Sequence, residues 1–386
     1  MPLSVRNVTV PRLRGRSLEA EARKARYAAL GKGLRRHEWL ITAHHEDDQL
    51  ETLLLQLMRG AGVAGLAAMP RDAAFGVGRL VRPLLGESRS ALEQFARSQA
   101  LDWVEDDSNV DERFDRNYLR RRVLPVLRER WPAASRVASR SAAHLGEARA
   151  LLESLAVQDL LAVEVDGGCI ELARLARLDV ARQRNVLRHW LSQRGLGIPD
   201  SVHLERIRHE LSAARADAMP SVRYAGGEVR RFRGRLYALP LARPPALPTS
   251  RRAWDWRRQP RFDLGEGRGL LRWVRDPHGP VDAGSLPEVL WVGGRGGGEK
   301  LALETDGPRH ALKELLREAA LPPWERESLP IVFDRRGVRA EVVAVADRLV
   351  AAPFRAMGRS RAGRRPAGRS PRARGRLRLV WEGRFC

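Results

Sequence analysis

Apolar and polar residues alternate in "SVRNVTVP" near the start of the chain, the period-2 pattern of a strand. The spacing then becomes helical in "SLEAEARKARYAALGKGLRR", with Ser17 placed as an N-cap. A second strand is predicted at "EWLITAHH", a helix from Glu46 to Met58, and a glycine-punctuated turn over "RGAGVAGLAAMP". Strand, helix, strand, helix is the rhythm of a parallel α/β sheet. Helical periodicity dominates from "RSALEQFARSQA" through "RNYLRRRVLPVLRERWP" and "ARALLESLAVQDLL" to "DSVHLERIRHELSAARA". Short strands follow at "SVRYAGGEVRRFRGRLYALP", and a last α+β unit is indicated by "EVLWVGG", "HALKELLREAAL", "LPIVFD", "AEVVAVADRLV" and "LRLVWEG". The implied organisation is an α/β domain over 1–133, a mainly helical domain over 134–240, a linker over 241–284 rich in proline and arginine, and an α+β domain over 285–386. The run 355–376 has nine arginines and no acid, and is read as a low-complexity insertion.

Composition narrows the function. The 386 residues carry 70 Lys+Arg against 47 Asp+Glu, a net charge of +23, with 43% hydrophobic residues. This is a folded, strongly basic chain whose natural large partner is a polyanion. Only four of the cations are lysines, and arginine suits bidentate phosphate contacts. Cys169 and Cys386 make neither a disulfide framework nor a thiolate metal site, which fits a reducing cytoplasm. No run approaches 18 apolar residues and the start lacks a secretion signal, so a membrane-spanning or exported chain is not expected.

The chemistry concentrates in "TAHHEDDQLETLLLQLMRGAG". On a helix, Leu50, Leu53, Leu54, Leu57 and Met58 share one stripe, read as the core face, while Asp48, Thr52, Leu55 and Arg59 lie opposite. His44 and His45 end a strand, where open parallel sheets place their ligand crevice. The acids there suit Mg²⁺ on nucleotide phosphates, or deprotonation of an amine, and Arg59 suits a phosphate. The bland alternative is a solvated face whose acids merely complement the helix dipole. A structural metal site is not expected, because His44 and Asp47 have no further His or Cys ligand beside them. In "WVEDDSNVDERFDRNYLRRRVLPVLRERW", Arg113, Arg116 and Arg120 recur at i, i+3 and i+7 as one basic stripe, suited to nucleic-acid phosphates or to pairing with Glu112, Asp115 and Glu129. "GGRGGGEK" lacks the spacing of a phosphate loop and reads as a tight turn.

Taken together, "AHHEDDQLETLLLQLMRGAGVAGLAAMP", "VRPLL", "VEDDSNVDERFDRNYLRRRVLPVL" and "GEKLALETDGPRHALKELLREAALPPWERESLPIVF" resemble the bacterial tRNA(Ile)-lysidine synthases, in the family's order and along nearly the whole chain. The resemblance implies an α/β, incomplete Rossmann-like parallel sheet of the PP-loop ATPase type, then a helical middle domain and a small α+β C-terminal domain. It implies ATP with Mg²⁺, free L-lysine, and a tRNA(Ile) bearing a CAU anticodon, whose wobble cytidine is adenylated and then joined at C2 to the lysine ε-amine. Carried over from the motif, His45, Asp47 and Asp48 are the catalytic candidates, and His44 and Arg59 the ATP-side ones. Arg113, Arg116, Asn117 and Arg120 are the candidates for tRNA contacts. A homodimer and a cytoplasmic location are also expected. A nonenzymatic tRNA-binding protein is the rival reading, and a tRNA thiolation enzyme is disfavoured by the absence of paired cysteines.

The family's SGGxDS loop, whose backbone amides hold ATP phosphates, has no counterpart between Met1 and Pro11 or elsewhere in the sequence. The expectation is that the reading frame starts upstream of the Met1 codon, and that residues 1–386 alone do not activate cytidine. An ATP-consumption assay with lysine and the cognate tRNA is expected to show no turnover by this polypeptide; robust turnover contradicts that expectation.

Overall fold

The computed structural model describes residues 5–11, 18–104, 111–165, 167–213, 215, 218–243, 245–304, 307–335, 340–356 and 375–382. They form two compact units, Met1–Leu155 and Ala156–Cys386. Ser17 and most of the arginine run lie outside the described residues. No helix among the described residues is long and apolar enough to cross a membrane.

In the first unit, α1 (Leu18–Gly33) is followed by β1 (Trp39–Ile41), α2 (Glu46–Met58), α3 (Val63–Leu66), β2 (Asp72–Phe75) and β3 (Gly78–Val81). β1 pairs in parallel with β3, from Trp39↔Arg79 to Ile41↔Val81, and β2 adds an antiparallel strand on the far side of β3. Tyr27 of α1 meets Phe75 of β2 edge-on at 5.7 Å. Gly78 is required where β3 begins, since a Cβ there would stand 2.3 Å from the Glu38 carbonyl oxygen. Then come α4 (Arg89–Ser98), α5 (Asp115–Tyr118), a π-helical turn over Leu119–Val123, α6 (Leu124–Arg130) and α7 (Ala134–Val163). Ser88 caps α4 by accepting from the Ala91 N–H at 3.2 Å. Leu50, Leu124 and Ala138 form a small core that ties α2 to α6 and α7.

Two sequence expectations fail in this unit. Residues 5–11 are not a strand, although their side chains alternate: a period-2 pattern becomes a strand only with a ladder partner, and these largely exposed residues pair with none among the described residues. The apolar stripe of α2 reaches the core only through Leu50 and Leu54, and its C-terminal end is exposed. Asp47, Asp48, Gln49, Leu50 and Glu51 are the buried residues, while Leu57 is 50% and Met58 75% exposed. Burial along α2 follows distance from the sheet end rather than polarity, because its acids are matched by arginines and its last turn projects outward.

In the second unit β4 (Glu164–Val165), β5 (Cys169–Glu171), β6 (Ser221–Tyr224), β7 (Gly227–Phe232) and β8 (Arg235–Leu239) form an antiparallel sheet in the order β4-β5-β8-β7-β6. The helices α8 (Leu172–Leu175), α9 (Val180–Gln193) and α10 (Ser201–Ala213) supply its apolar cover, with Trp190, Leu187, Ile207, Val222 and Leu236 fully buried. Asp179 caps α9 by accepting from the Arg182 N–H at 2.9 Å. The middle region is therefore helical but built around a sheet.

The segment read as the linker 241–284 instead carries β9 (Arg252–Trp254), β10 (Arg261–Asp263), β11 (Leu270–Arg275) and β12 (Val281–Asp282). Its prolines and arginines mark turns and exposed faces, whereas Trp254, Phe262, Leu271 and Val281 enter the C-terminal core. That core is completed by β13 (Leu290–Gly293), β14 (Lys300–Ala302), β15 (Arg309–Ala311), α11 (Leu312–Glu318), α12 (Pro323–Arg326), β16 (Ile331–Phe333), β17 (Val342–Val345), β18 (Leu349–Val350) and β19 (Arg376–Glu382). One sheet runs β18-β17-β16-β13-β9 and another β10-β11-β19-β12, with β14 and β15 as a separate hairpin. Trp254 is fully buried, stacks on Trp273 at 6.2 Å and donates its Nε1–H to the Gln259 carbonyl at 2.8 Å. Trp254→Ala is expected to cost about 3–5 kcal/mol in denaturant unfolding of the full chain; a loss below about 1 kcal/mol would mean that this segment is peripheral after all.

Candidate active site

The site is built at the first turn of α2, where β1 ends and the helix begins. Three acids, Glu46, Asp47 and Asp48, occupy that turn, where the amide dipoles favour negative charge. Asp48 closes the turn by accepting from the His45 backbone N–H at 3.0 Å, and the His45 Nε2 lies 3.5 Å from the same carboxylate. This local geometry follows from sequence, since a carboxylate at the third helical position reaches back to the residue before the helix. What buries the acids comes from far away in the chain.

Arg120, on the π-helical turn, reaches two carboxylates of α2 at once. Its Nη2 donates to Asp48 Oδ1 at 2.7 Å and its Nε to Glu51 Oε1 at 2.5 Å. Asp48 and Glu51 are three residues apart on a helix, so they share a face and one guanidinium spans them. Glu51 is 1% exposed. Burial pushes its carboxyl above the usual range, and the hydrogen bond from Arg120 opposes that shift. Its second oxygen, Oε2, is buried with no hydrogen-bond partner. Asp47 points to the other side of the helix, where Oδ1 accepts from Ser135 Oγ at 2.5 Å and lies 2.6 Å from Arg128 Nη2. Three buried or nearly buried carboxylates are thus held by two guanidiniums. Removing one partner from such a buried pair costs about 3–5 kcal/mol, so the guanidiniums are needed where they stand.

Neighbouring groups hold the turn still. Thr52 Oγ1 donates to the Asp48 carbonyl at 2.7 Å and accepts from Arg116 Nη2 at 2.8 Å. Gln49 forms a two-way amide pair with Met69, donating to its carbonyl at 2.8 Å and accepting from its N–H at 2.9 Å. His44 Nδ1 lies 2.8 Å from Thr42 Oγ1. Burial, opposed by Asp48 and reinforced by Arg82, Arg23 and Arg116, lowers the His44 pKa to about 4, so its ring is neutral at pH 7.

Two cavities flank this turn. One of about 650 Å³ is lined by Arg6, Arg23, Arg26, Arg116, Asn117 and Arg120 with Val8, Val10, Ala22 and Phe114, and no carboxylate lines it. It is suited to a polyphosphate. The other, about 730 Å³, is mixed in sign and is bordered by Glu46, Asp47, Glu87, Arg128, Ser135 and Arg136.

The structure brings His44, His45, Asp47, Asp48, Arg116 and Arg120 together, with Asn117 at the cavity wall. Asn117 is buried and its Nδ2 donates to the Asp111 carbonyl at 2.9 Å. Two other candidates stand apart. Arg113 precedes the helix, is 89% exposed and pairs with Asp111, so the expected i, i+3, i+7 stripe does not form. Arg59 is 58% exposed and 3.9 Å from Asp115. Sequence reasoning missed Glu51, Arg128 and Ser135. Glu51 was within reach of an i, i+3 argument from Asp48, whereas Arg128 and Ser135 join Asp47 from about 80 residues or more along the chain and leave no local signal.

Comparison with known proteins places the chain in a family. A PP-loop domain model matches residues 1–127, a TilS substrate binding domain model residues 171–237, and a TilS substrate C-terminal domain model residues 290–364. A tRNA(Ile)-lysidine synthase of Alkalilimnicola ehrlichii is 45% identical over 340 residues, 88% of this chain and 75% of the relative. That of Coxiella burnetii is 40% identical over 93% of this chain and 78% of its own, and that of Pseudomonas aeruginosa 45% identical over 90% and 76%. With the α2 acids, the arginine-lined cavity and three matching domains in one order, this chain belongs to the tRNA(Ile)-lysidine synthase family.

Proposed function

We propose that this site serves an ATP-dependent carbon–nitrogen ligation in which the ε-amine of L-lysine is joined to C2 of the wobble cytidine of a CAU-anticodon tRNA(Ile). The observation that carries the reading is the buried Oε2 of Glu51, which has no hydrogen-bond partner. A lysine ε-ammonium would supply the missing donor. The identity with tRNA(Ile)-lysidine synthases over most of the chain favours the ligase over the binding-protein reading.

The chemistry assigns work to each side of α2. In the first half-reaction, O2 of cytidine bonds to the α-phosphorus of ATP and pyrophosphate departs. Arg116 and Arg120, on the wall of the arginine-lined cavity, are placed to hold phosphate charge there. In the second, the lysine nitrogen attacks C2, the C2–O bond breaks, and AMP leaves with the oxygen. The ammonium must first lose a proton. Asp48 and Glu51 hold and orient it, and the raised Glu51 carboxyl is the better placed to take the proton. His44, neutral at pH 7, adds no competing positive charge. Asp47, locked by Ser135 and Arg128, and His45, joined to Asp48, fix the turn.

Among the described residues no three His, Cys, Asp or Glu side chains converge on a metal position; Mg²⁺ would enter with the ATP phosphates and need only one or two protein carboxylates, for which the acids of the first turn of α2 are the candidates. A tRNA substrate implies the cytoplasm as the place of work.

Lysine binding tests the reading without depending on turnover. In calorimetric titration of residues 1–386 with L-lysine, Glu51→Gln is expected to weaken affinity by roughly tenfold to a hundredfold, the value of one charged hydrogen bond. Unchanged affinity in a variant whose near-ultraviolet circular dichroism matches the wild type would refute it.

A further inference from the structure

Arg120 belongs to two sites at once. Its Nε and Nη2 bond Glu51 and Asp48, and the same side chain, 31% exposed, lines the arginine cavity beside α2. Of the five arginines on that cavity, Arg6, Arg23, Arg26, Arg116 and Arg120, it alone bonds a carboxylate of α2 among the described residues. Arg116 reaches α2 through the Thr52 hydroxyl, and Arg128, the cation beside Asp47, borders the other cavity. One guanidinium thus serves both the acids and the place suited to phosphate.

The segment that carries Arg120 departs from regular helix for a local reason. Pro125, in the first turn of α6, has no N–H to give the Arg121 carbonyl, and its ring crowds that carbonyl. The chain answers with the π-helical turn, in which the Leu124 N–H bonds the Leu119 carbonyl five residues back. Single turns of this kind recur at functional sites.

The balance of charge sets the consequence. Phosphate that enters the cavity without lysine must draw Arg120 from buried carboxylates that need it, and lysine that enters without phosphate meets acids that Arg120 already neutralises. Together, each removes the obstacle to the other. The ammonium replaces the guanidinium on the acids, and the guanidinium turns to phosphate, whose geometry its paired N–H groups match. Glu51 is ready for a second donor, since its Oε2 is buried with no hydrogen-bond partner. Withdrawal of Arg120 also removes the hydrogen bond that holds the Glu51 carboxyl down against burial, so a proton passes from the ammonium nitrogen to the Glu51 oxygen more readily with phosphate in place.

We propose that Arg120 is an exchangeable cation that couples the amine and phosphate sites: phosphate in the cavity draws its guanidinium from the α2 acids, and the lysine ammonium takes its place on Asp48 and Glu51. With lysine alone the guanidinium keeps its bridge and the ammonium bonds Oε2 beside it. The exchange rests on the reading of those acids as the amine site, and adds that each substrate strengthens the hold on the other.

The test is calorimetric titration of residues 1–386 with L-lysine, without and with saturating pyrophosphate, and the converse titration with pyrophosphate. Pyrophosphate is expected to tighten lysine binding roughly tenfold, and lysine to tighten pyrophosphate binding by the same factor, because a coupling free energy is reciprocal. Arg120→Gln is expected to reduce that factor to about one. A direct attraction between ammonium and pyrophosphate would survive the substitution, and an undiminished factor in Arg120→Gln overturns the proposal. Arg26→Gln, a cavity arginine on α1, is expected to weaken pyrophosphate binding and keep the factor. A factor of about one in the wild-type chain overturns the proposal without recourse to any variant, which keeps it falsifiable if Arg120→Gln folds poorly. A wild-type chain that binds lysine but no pyrophosphate overturns the exchange and leaves the amine site standing. One that binds pyrophosphate but no lysine overturns the amine reading, and the exchange with it.

Discussion

Arg120 determines what the first unit can do. Its guanidinium joins Asp48 and Glu51 on α2 to the π-helical turn 72 and 69 residues further along the chain. Without it, two carboxylates on one helical face would repel each other in a setting that already disfavours charge. With it, the first turn of α2 is fixed against the segment bearing Arg116 and Asn117, and one carboxylate oxygen of Glu51 is left over. Removing either side of such a pair is far costlier than never building it, so the lock is both a stability element and a chemical one.

The same balance of charge explains how an arginine-rich chain folds. Where acids are buried, guanidiniums come to them: Arg128 to Asp47, Arg182 to Asp159, and three arginines to Glu228. Where guanidiniums gather without acids, at the cavity beside α2, the surplus faces open volume. Net charge of +23 is therefore partitioned into matched pairs that organise the interior and unmatched groups available to phosphate.

Much of the architecture was legible in the sequence because it is local. The bounds of α2 follow from its acids at the start and its glycines at the end, and the helix cap through Asp48 is a spacing rule. The family motif drew attention to His44, His45, Asp47 and Asp48, which the structure gathers at one turn. Illegible were the features set by tertiary partners. The apolar periodicity of α2 pointed Leu57 and Met58 inward, yet matched charges bury its acidic end instead. Proline and arginine density concealed four strands between 252 and 282, whose buried residues are single and widely spaced. Glu51 and Arg128 acquire meaning only once residues far apart in sequence meet.

The most direct measurement is a crystal structure of this chain with L-lysine bound. The ε-nitrogen is expected within hydrogen-bond distance of Glu51 Oε2 and beside Asp48, with Arg120 still bridging the two carboxylates. Lysine bound elsewhere, with Glu51 Oε2 still buried and unpaired, would contradict it.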